Sequence, residues 1–196
     1  MPSERFQILI QRIDQLNGAD PNQELIEGVL RPRELVYAER LTDWVLRLNS
    51  QASEALRIAA RGQHVQRWTI PRDRYPMNRQ GYLRWRETLK AFHAQTVGEL
   101  MREVGYSEEI IQRVQRIMGK RHLEDDAETQ TLEDALCLVF LETQFAELKQ
   151  KTPDEKMREI VRKTWKKMSA RARQLALALP LDAAEKQWLA ETLSAR

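Results

Sequence analysis

The sequence predicts an all-α protein, organised as a single-domain helical bundle that covers residues 1–196. Apolar side chains recur at the three- and four-residue spacing of amphipathic helices along most of the chain. Seven glycines and seven prolines fall mostly between these periodic segments, where they end helices. The composition, 42% hydrophobic and 31% charged, is typical of a folded globular domain.

The first third of the chain predicts three helices. Residues 3–17 carry apolar side chains at i, i+3, i+4 and i+7 behind a serine that can cap the helix, and a Gly-Ala-Asp-Pro turn follows them. Residues 22–32 are predicted to be a connector without a strand. A second helix starts near Arg33 and is interrupted near Asn49, and a third covers residues 51–67.

The remainder of the chain predicts a loop followed by further helices. Pro71 and Pro76 prevent a helix between them. Residues 119–129 are a polar loop in which His122 is expected to be exposed. Residues 130–150 are apolar on nearly every side in their middle, which predicts a central helix. The helices predicted after the prolines cover residues 79–104, 107–118, 130–150, 154–168, 169–180 and 182–194.

Several classes of protein are excluded by what the sequence lacks. One cysteine, Cys137, rules out an internal disulfide framework and favours a reducing, cytoplasmic location. No apolar run approaches the roughly 20 residues that span a bilayer, and the N-terminus is too charged for a secretory signal. There is no phosphate-binding glycine loop, no CxxC pair, no HExxH and no GxSxG motif. The oligomeric state is left open.

Positive charge is concentrated in the basic-aromatic segment, which we define as residues 67–90. It holds seven basic and two acidic residues, a local charge of +5 in a chain of net charge +3. The planar guanidinium group favours bidentate contacts with phosphate or carboxylate, so the segment predicts a small anionic ligand. Alternatively, the segment is a solvated face, or a non-catalytic surface for RNA or an acidic protein partner. The predicted ligand-binding residues are Arg67, Arg72, Arg84 and Lys90.

Four ionisable residues lie on apolar helix faces, where charges are unusual. Asp134 has Leu138 and Leu141 at helical spacing, and His64, His93 and Glu39 lie in similar patterns. Buried carboxylates are usually paired or bound to a metal, and two histidines with two carboxylates suit Zn, Mn or Fe. Taken singly, each residue is better explained as part of a satisfied core. Taken together, Glu39, His64, His93 and Asp134 predict a shared site that is either a site for a divalent metal ion or a polar pocket.

The segments AARGQHVQRW, PRDRYPMNRQGYLRWR, LKAFHAQ, QTLEDALCLVFLE and RKTWKKMS resemble a bacterial and fungal family of unknown function. That resemblance extends from about Ser3 to Leu193 and implies no activity. The order of features is also similar to the HD superfamily of helical metal-dependent phosphohydrolases. LRIAARGQH ends at His64, HAQTVGELMREVGYSEEIIQRVQRIM begins at His93, and QTLEDALCL contains Asp134.

The HD resemblance implies an HD-like fold and hydrolysis of a small phosphorylated or nucleotide substrate by metal-activated water. In this interpretation Glu39 lies on the helix that normally provides the first histidine, and Glu133 acts as base or supports the metal ligands. The His64–Val65 pair lacks the usual aspartate, and Lys120 stands where a further histidine would be. A single metal ion is therefore expected rather than two. A nucleotide sensor with a degenerate, metal-free pocket is the remaining alternative.

Overall fold

A computed structural model of the chain describes residues 3–120 and 125–194, and almost all regular structure in these ranges is helical. The all-helical prediction is therefore confirmed. The helices are α1 (Glu4–Gly18), α2 (Arg33–Leu48), α3 (Glu54–Gly62), α4 (Arg79–Glu103), α5 (Glu108–Met118), α6 (Ala127–Thr143), α7 (Phe145–Lys151), α8 (Asp154–Lys167), α9 (Ala170–Leu177) and α10 (Ala183–Ser194). Short 3-10 turns cover Arg67–Thr69 and Arg72–Arg74.

Side-chain caps fix the start of several helices. The hydroxyls of Ser3 and Ser53 accept hydrogen bonds from the third residue after them, at the starts of α1 and α3. Asn78 does the same for α4 and accepts from the Gly81 amide at 2.8 Å. These caps satisfy amides that have no partner within the helix.

The expectation of a strand-free connector over residues 22–32 is wrong. The segment forms an antiparallel hairpin of β1 (Gln23–Ile26) and β2 (Val29–Pro32), in which Leu25 pairs with Leu30. Glu27 and Gly28 both have positive φ, as a two-residue turn between antiparallel strands requires. The strands are short and mostly exposed. Neither strand therefore has a buried face that an alternation of apolar and polar residues would mark in the sequence.

Two helices are shorter than their patterns predict. The third helix ends at Gly62 rather than at residue 67, and 3-10 turns follow it. The long apolar segment divides at Gln144 into α6 and α7. The predicted loop over residues 119–129 includes 121–124, and His122 with it, which lie outside the described residues.

The chain divides into two compact units, unit 1 (residues 1–132) and unit 2 (residues 133–196). In unit 1, α3 packs against α2 and α5, and α4 packs against α5, around a core that includes Leu41, Ile58, Val97 and Ile111. In unit 2, α8 packs against α7 and α10. The single domain predicted from the sequence stays a prediction. Within the described ranges, no helix is both long and apolar enough to cross a membrane.

Candidate functional site

Three of the predicted site residues, His64, His93 and Arg67, meet in unit 1 at a cluster that we call the histidine site. It comprises Glu34 and Tyr37 from the start of α2, His64 and Arg67 after α3, and His93 from the middle of α4. The ring centroids of His64 and His93 are 5.9 Å apart. Tyr37 stacks on His64 with 4.1 Å between centroids and 9° between planes. The cluster therefore joins three elements that are distant in sequence.

His93 is buried and held by one backbone hydrogen bond. Its Nδ1 lies 2.9 Å from the Val65 carbonyl oxygen, and its Nε2 is buried without a hydrogen-bond partner among the described residues. Burial is the main cause that lowers the pKa of His93 to about 3, and the neighbouring His64 acts in the same direction. The ring is therefore neutral. Because a carbonyl oxygen only accepts, Nδ1 carries the hydrogen and Nε2 has a lone pair.

His64 is close to a carboxylate but is also neutral. Its Nδ1 lies 3.3 Å from Oε2 of Glu34, and 21% of its side chain remains exposed. Burial lowers the pKa of His64 well below its usual range, and Arg67, Arg86 and Lys120 lower it further. These three cations raise the electrostatic potential at His64, although the imidazole itself carries no charge.

Glu34 is the main acidic group of the histidine site. Its side chain is only 12% exposed, and burial raises its pKa to about 7 although Arg67 acts against this. Its Oε1 is 3.9 Å from Nε of Arg67, and its backbone amide donates to Oδ2 of the buried Asp20 at 3.0 Å. A carboxylate that titrates near neutral pH beside an imidazole can accept or deliver a proton there.

Aromatic contacts hold Arg67 in place. Its guanidinium group lies 4.8 Å from the centroid of the Trp85 ring, and Nε1 of Trp85 donates to the Ile70 carbonyl at 2.8 Å. The Trp85 ring is therefore fixed by the loop that follows α3. A guanidinium stacked in this way loses little further side-chain freedom when it binds an anion.

Of the other predicted ligand-binding residues, only Arg72 lies beside the histidine site, with its guanidinium 5.9 Å from the centroid of the Trp85 ring. The guanidinium of Arg72 donates to the carbonyls of Tyr75 and Pro76, so it closes its own loop. Arg84 is exposed on α4. Lys90 forms an ion pair with Glu87 at 2.7 Å, and both line a groove between α4 and α5.

The predicted metal-binding carboxylates have their own partners. Oε1 of Glu39 lies 2.9 Å from Arg31 and 3.9 Å from Arg61. In unit 2, Oδ1 of Asp134 accepts a hydrogen bond from the Ser169 amide at 2.8 Å, at the start of α9. Glu133, the predicted base, is also in unit 2, with Oε1 3.3 Å from Nζ of Lys167.

Binding of a metal ion by the predicted donor set has no support in the part of the chain that the structure describes. No group of three or more His, Cys, Asp or Glu side chains there is arranged to hold one. The three cations that lower the pKa of His64 also oppose a dication beside it. The four-residue metal site stays a prediction.

Sequence reasoning missed Glu34 and Tyr37. Glu34 lies in the first turn of α2, where acids are common, so its position alone gives no signal. It has Ala38, Leu41 and Val45 at i+4, i+7 and i+11, all buried. The same spacing test that selected Asp134 would have selected Glu34.

In class, the chain is an all-helical protein with one small hairpin in its described residues. It belongs to the family DUF4202, a domain of unknown function, which matches residues 7–188. This confirms that the chain belongs to a family of unknown function, whereas the bacterial and fungal distribution of that family stays a prediction. No curated protein and no solved structure matches the chain. The relation to the HD superfamily stays a prediction.

Proposed function

We propose that unit 1 binds a small phosphorylated or otherwise anionic molecule at the histidine site. The observation that carries this proposal is the partly exposed His64 beside Arg67, both of which lie next to the Glu34 carboxylate. The positive charges of Arg67, Arg86 and Lys120 lower the pKa of His64. Cations around a neutral imidazole attract an anionic ligand and repel a cationic one. Stacking on Trp85 orients Arg67 for such a contact before the ligand arrives.

Calorimetric titration with inorganic pyrophosphate and adenosine monophosphate tests the proposal. Wild type is expected to bind at least one of them, and Arg67→Ala is expected to weaken that binding about tenfold or more, because it removes a charge-assisted contact. Arg86→Ala provides a second test that leaves the Trp85 stack on Arg67 in place. Arg79→Ala is the matched control, because Arg79 is an exposed arginine of the same segment.

Two outcomes would contradict the proposal. One is the absence of binding by a folded wild type, judged by circular dichroism. The other is an equal loss in the Arg67, Arg86 and Arg79 variants, which would indicate nonspecific attraction to the basic-aromatic segment. Binding to RNA that falls steeply with salt in all variants alike would support the nucleic-acid alternative instead.

A second candidate is hydrolysis of the bound phosphoryl group in an HD-like, metal-dependent site. His93 favours it, because a carbonyl that holds Nδ1–H and leaves Nε2 unprotonated is typical of metal-binding histidines. Metal analysis of the purified protein by mass spectrometry tests this candidate. A near-stoichiometric metal that is lost in His93→Ala would support it, and a protein that stays metal-free after reloading would contradict it.

A further inference from the structure

The histidine site offers acceptors as well as cations. Nε2 of His93 has a lone pair because Nδ1–H donates to Val65. The His64 side chain is 21% exposed, and its Nε2 also has a lone pair when the ring hydrogen is on Nδ1. A ligand that carries only negative charge would pair with the cations. It would have no hydrogen-bond donor for the lone pair of His64.

Glu34 lies beside Nδ1 of His64. Its Oε2 is 3.3 Å from that nitrogen, and its Oε1 is 3.9 Å from Nε of Arg67. Above its pKa of about 7 the carboxylate is ionised and only accepts, so it then favours the hydrogen of His64 on Nδ1. The neutral ring then presents an unprotonated Nε2.

We propose that Glu34 is a positioning residue that fixes the tautomer of His64, and that the ligand is an anion that also carries a hydroxyl group, such as a phosphorylated polyol. The hydroxyl donates to Nε2 of His64 while Arg67, Arg86 and Lys120 hold the anionic group. The assignment of the ligand class rests on the proposed function, whereas the role of Glu34 does not. A ligand without the hydroxyl leaves a desolvated acceptor, which is expected to weaken binding about tenfold.

The role of Glu34 is tested without a ligand by long-range ¹H–¹⁵N NMR of the imidazole rings at pH 8.5. Wild type is expected to show the Nδ1–H tautomer at His64. Glu34→Gln keeps the size of the side chain but adds an amide that can donate to Nδ1, so the Nε2–H tautomer is expected to appear. Asp43→Asn, an exposed change on the same helix, is the control. An Nε2–H tautomer in wild type, or identical spectra in wild type and Glu34→Gln, would overturn this role.

The ligand class is tested by calorimetry with glycerol 3-phosphate and propyl phosphate, which differ in their hydroxyl groups. Wild type is expected to bind glycerol 3-phosphate about tenfold more tightly, and Glu34→Gln is expected to bring the ratio of the two affinities towards one. Equal affinities in wild type would overturn the ligand class and leave the proposed function standing. No binding of either would overturn both the ligand class and phosphate binding at this site, while the NMR result would still decide the role of Glu34.

Discussion

At the residue scale, Glu34 makes stability depend on pH in the direction opposite to that of most carboxylates. Burial raises its pKa from 4.5 to about 7, so the folded state binds its proton more tightly than the unfolded state. The stability that this provides is complete below pH 4.5 and is lost as pH rises through about 7. Replacing the Glu34 carboxyl by a group that does not ionise should therefore raise the free energy of unfolding most at alkaline pH.

Glu34→Gln tests this by chemical denaturation at pH 5 and pH 8. The free energy of unfolding of the variant, relative to wild type, is expected to increase by about 2–3 kcal/mol between these two pH values. Asp43→Asn should show no such change. A difference between Glu34→Gln and wild type that is constant with pH, or that shrinks as pH rises, would contradict the burial of an ionisable Glu34.

At the element scale, α3 and α4 depend on a glycine where they pack together. A Cβ atom at Gly62 would collide with a methyl carbon of Val97, so a side chain there would displace Val97. Gly62→Ala is expected to lower the free energy of unfolding by about 1–3 kcal/mol through overpacking. Gly18→Ala is the matched control, because a Cβ there meets nothing within 4 Å. Equal effects of the two substitutions in thermal or chemical melts would contradict this packing.

The elements that could be predicted from the sequence are those with a buried apolar stripe. α1, α4 and α5 each begin and end within about two residues of their predicted bounds because periodicity and caps mark them locally. The hairpin of residues 23–32 has no buried apolar stripe, so its residue pattern does not indicate strands. α3 ends at Gly62, and Trp85 of α4 donates a hydrogen bond to the loop that follows it. Helical spacing does not reveal such a tertiary contact.

The site could be predicted in part for the same reason. The apolar neighbours of His64, His93 and Asp134 correctly indicated partly or fully buried side chains. Helical spacing does not say which helices meet or which partner each polar group finds. Asp134 accepts from a backbone amide, and Glu39 pairs with arginines. Glu34 was not among the predicted site residues, since an acid in the first turn of a helix is common and indicates no site by itself.

At the scale of the whole molecule, most of the described histidines and carboxylates whose pKa is lowered by the fold lie in unit 1. The pKa values of His64 and His93 are lowered by burial, so these residues stabilise the fold above about pH 6.5. That stability is lost as pH falls below 6.5, for His93 down to about pH 3. Asp126, whose pKa is lowered mainly by its hydrogen bonds with Arg113, adds a loss below about pH 3.8. The opposite contribution of Glu34 is complete near pH 4.5 and about equals the loss from His93, so the net loss of stability in acid comes from His64.

Acid should therefore destabilise unit 1 before unit 2. Hydrogen exchange by mass spectrometry, corrected for the intrinsic rate at pH 7 and pH 4.5, is expected to show a larger loss of opening free energy in peptides from α2, α3 and α4 than in peptides from α8 and α10. Glu34→Gln should increase that loss, because it removes the one group of the histidine site that gains stability in acid. Equal losses in the two units, or an earlier loss in residues 133–194, would mean that the neutral histidines do not limit the acid stability of the chain.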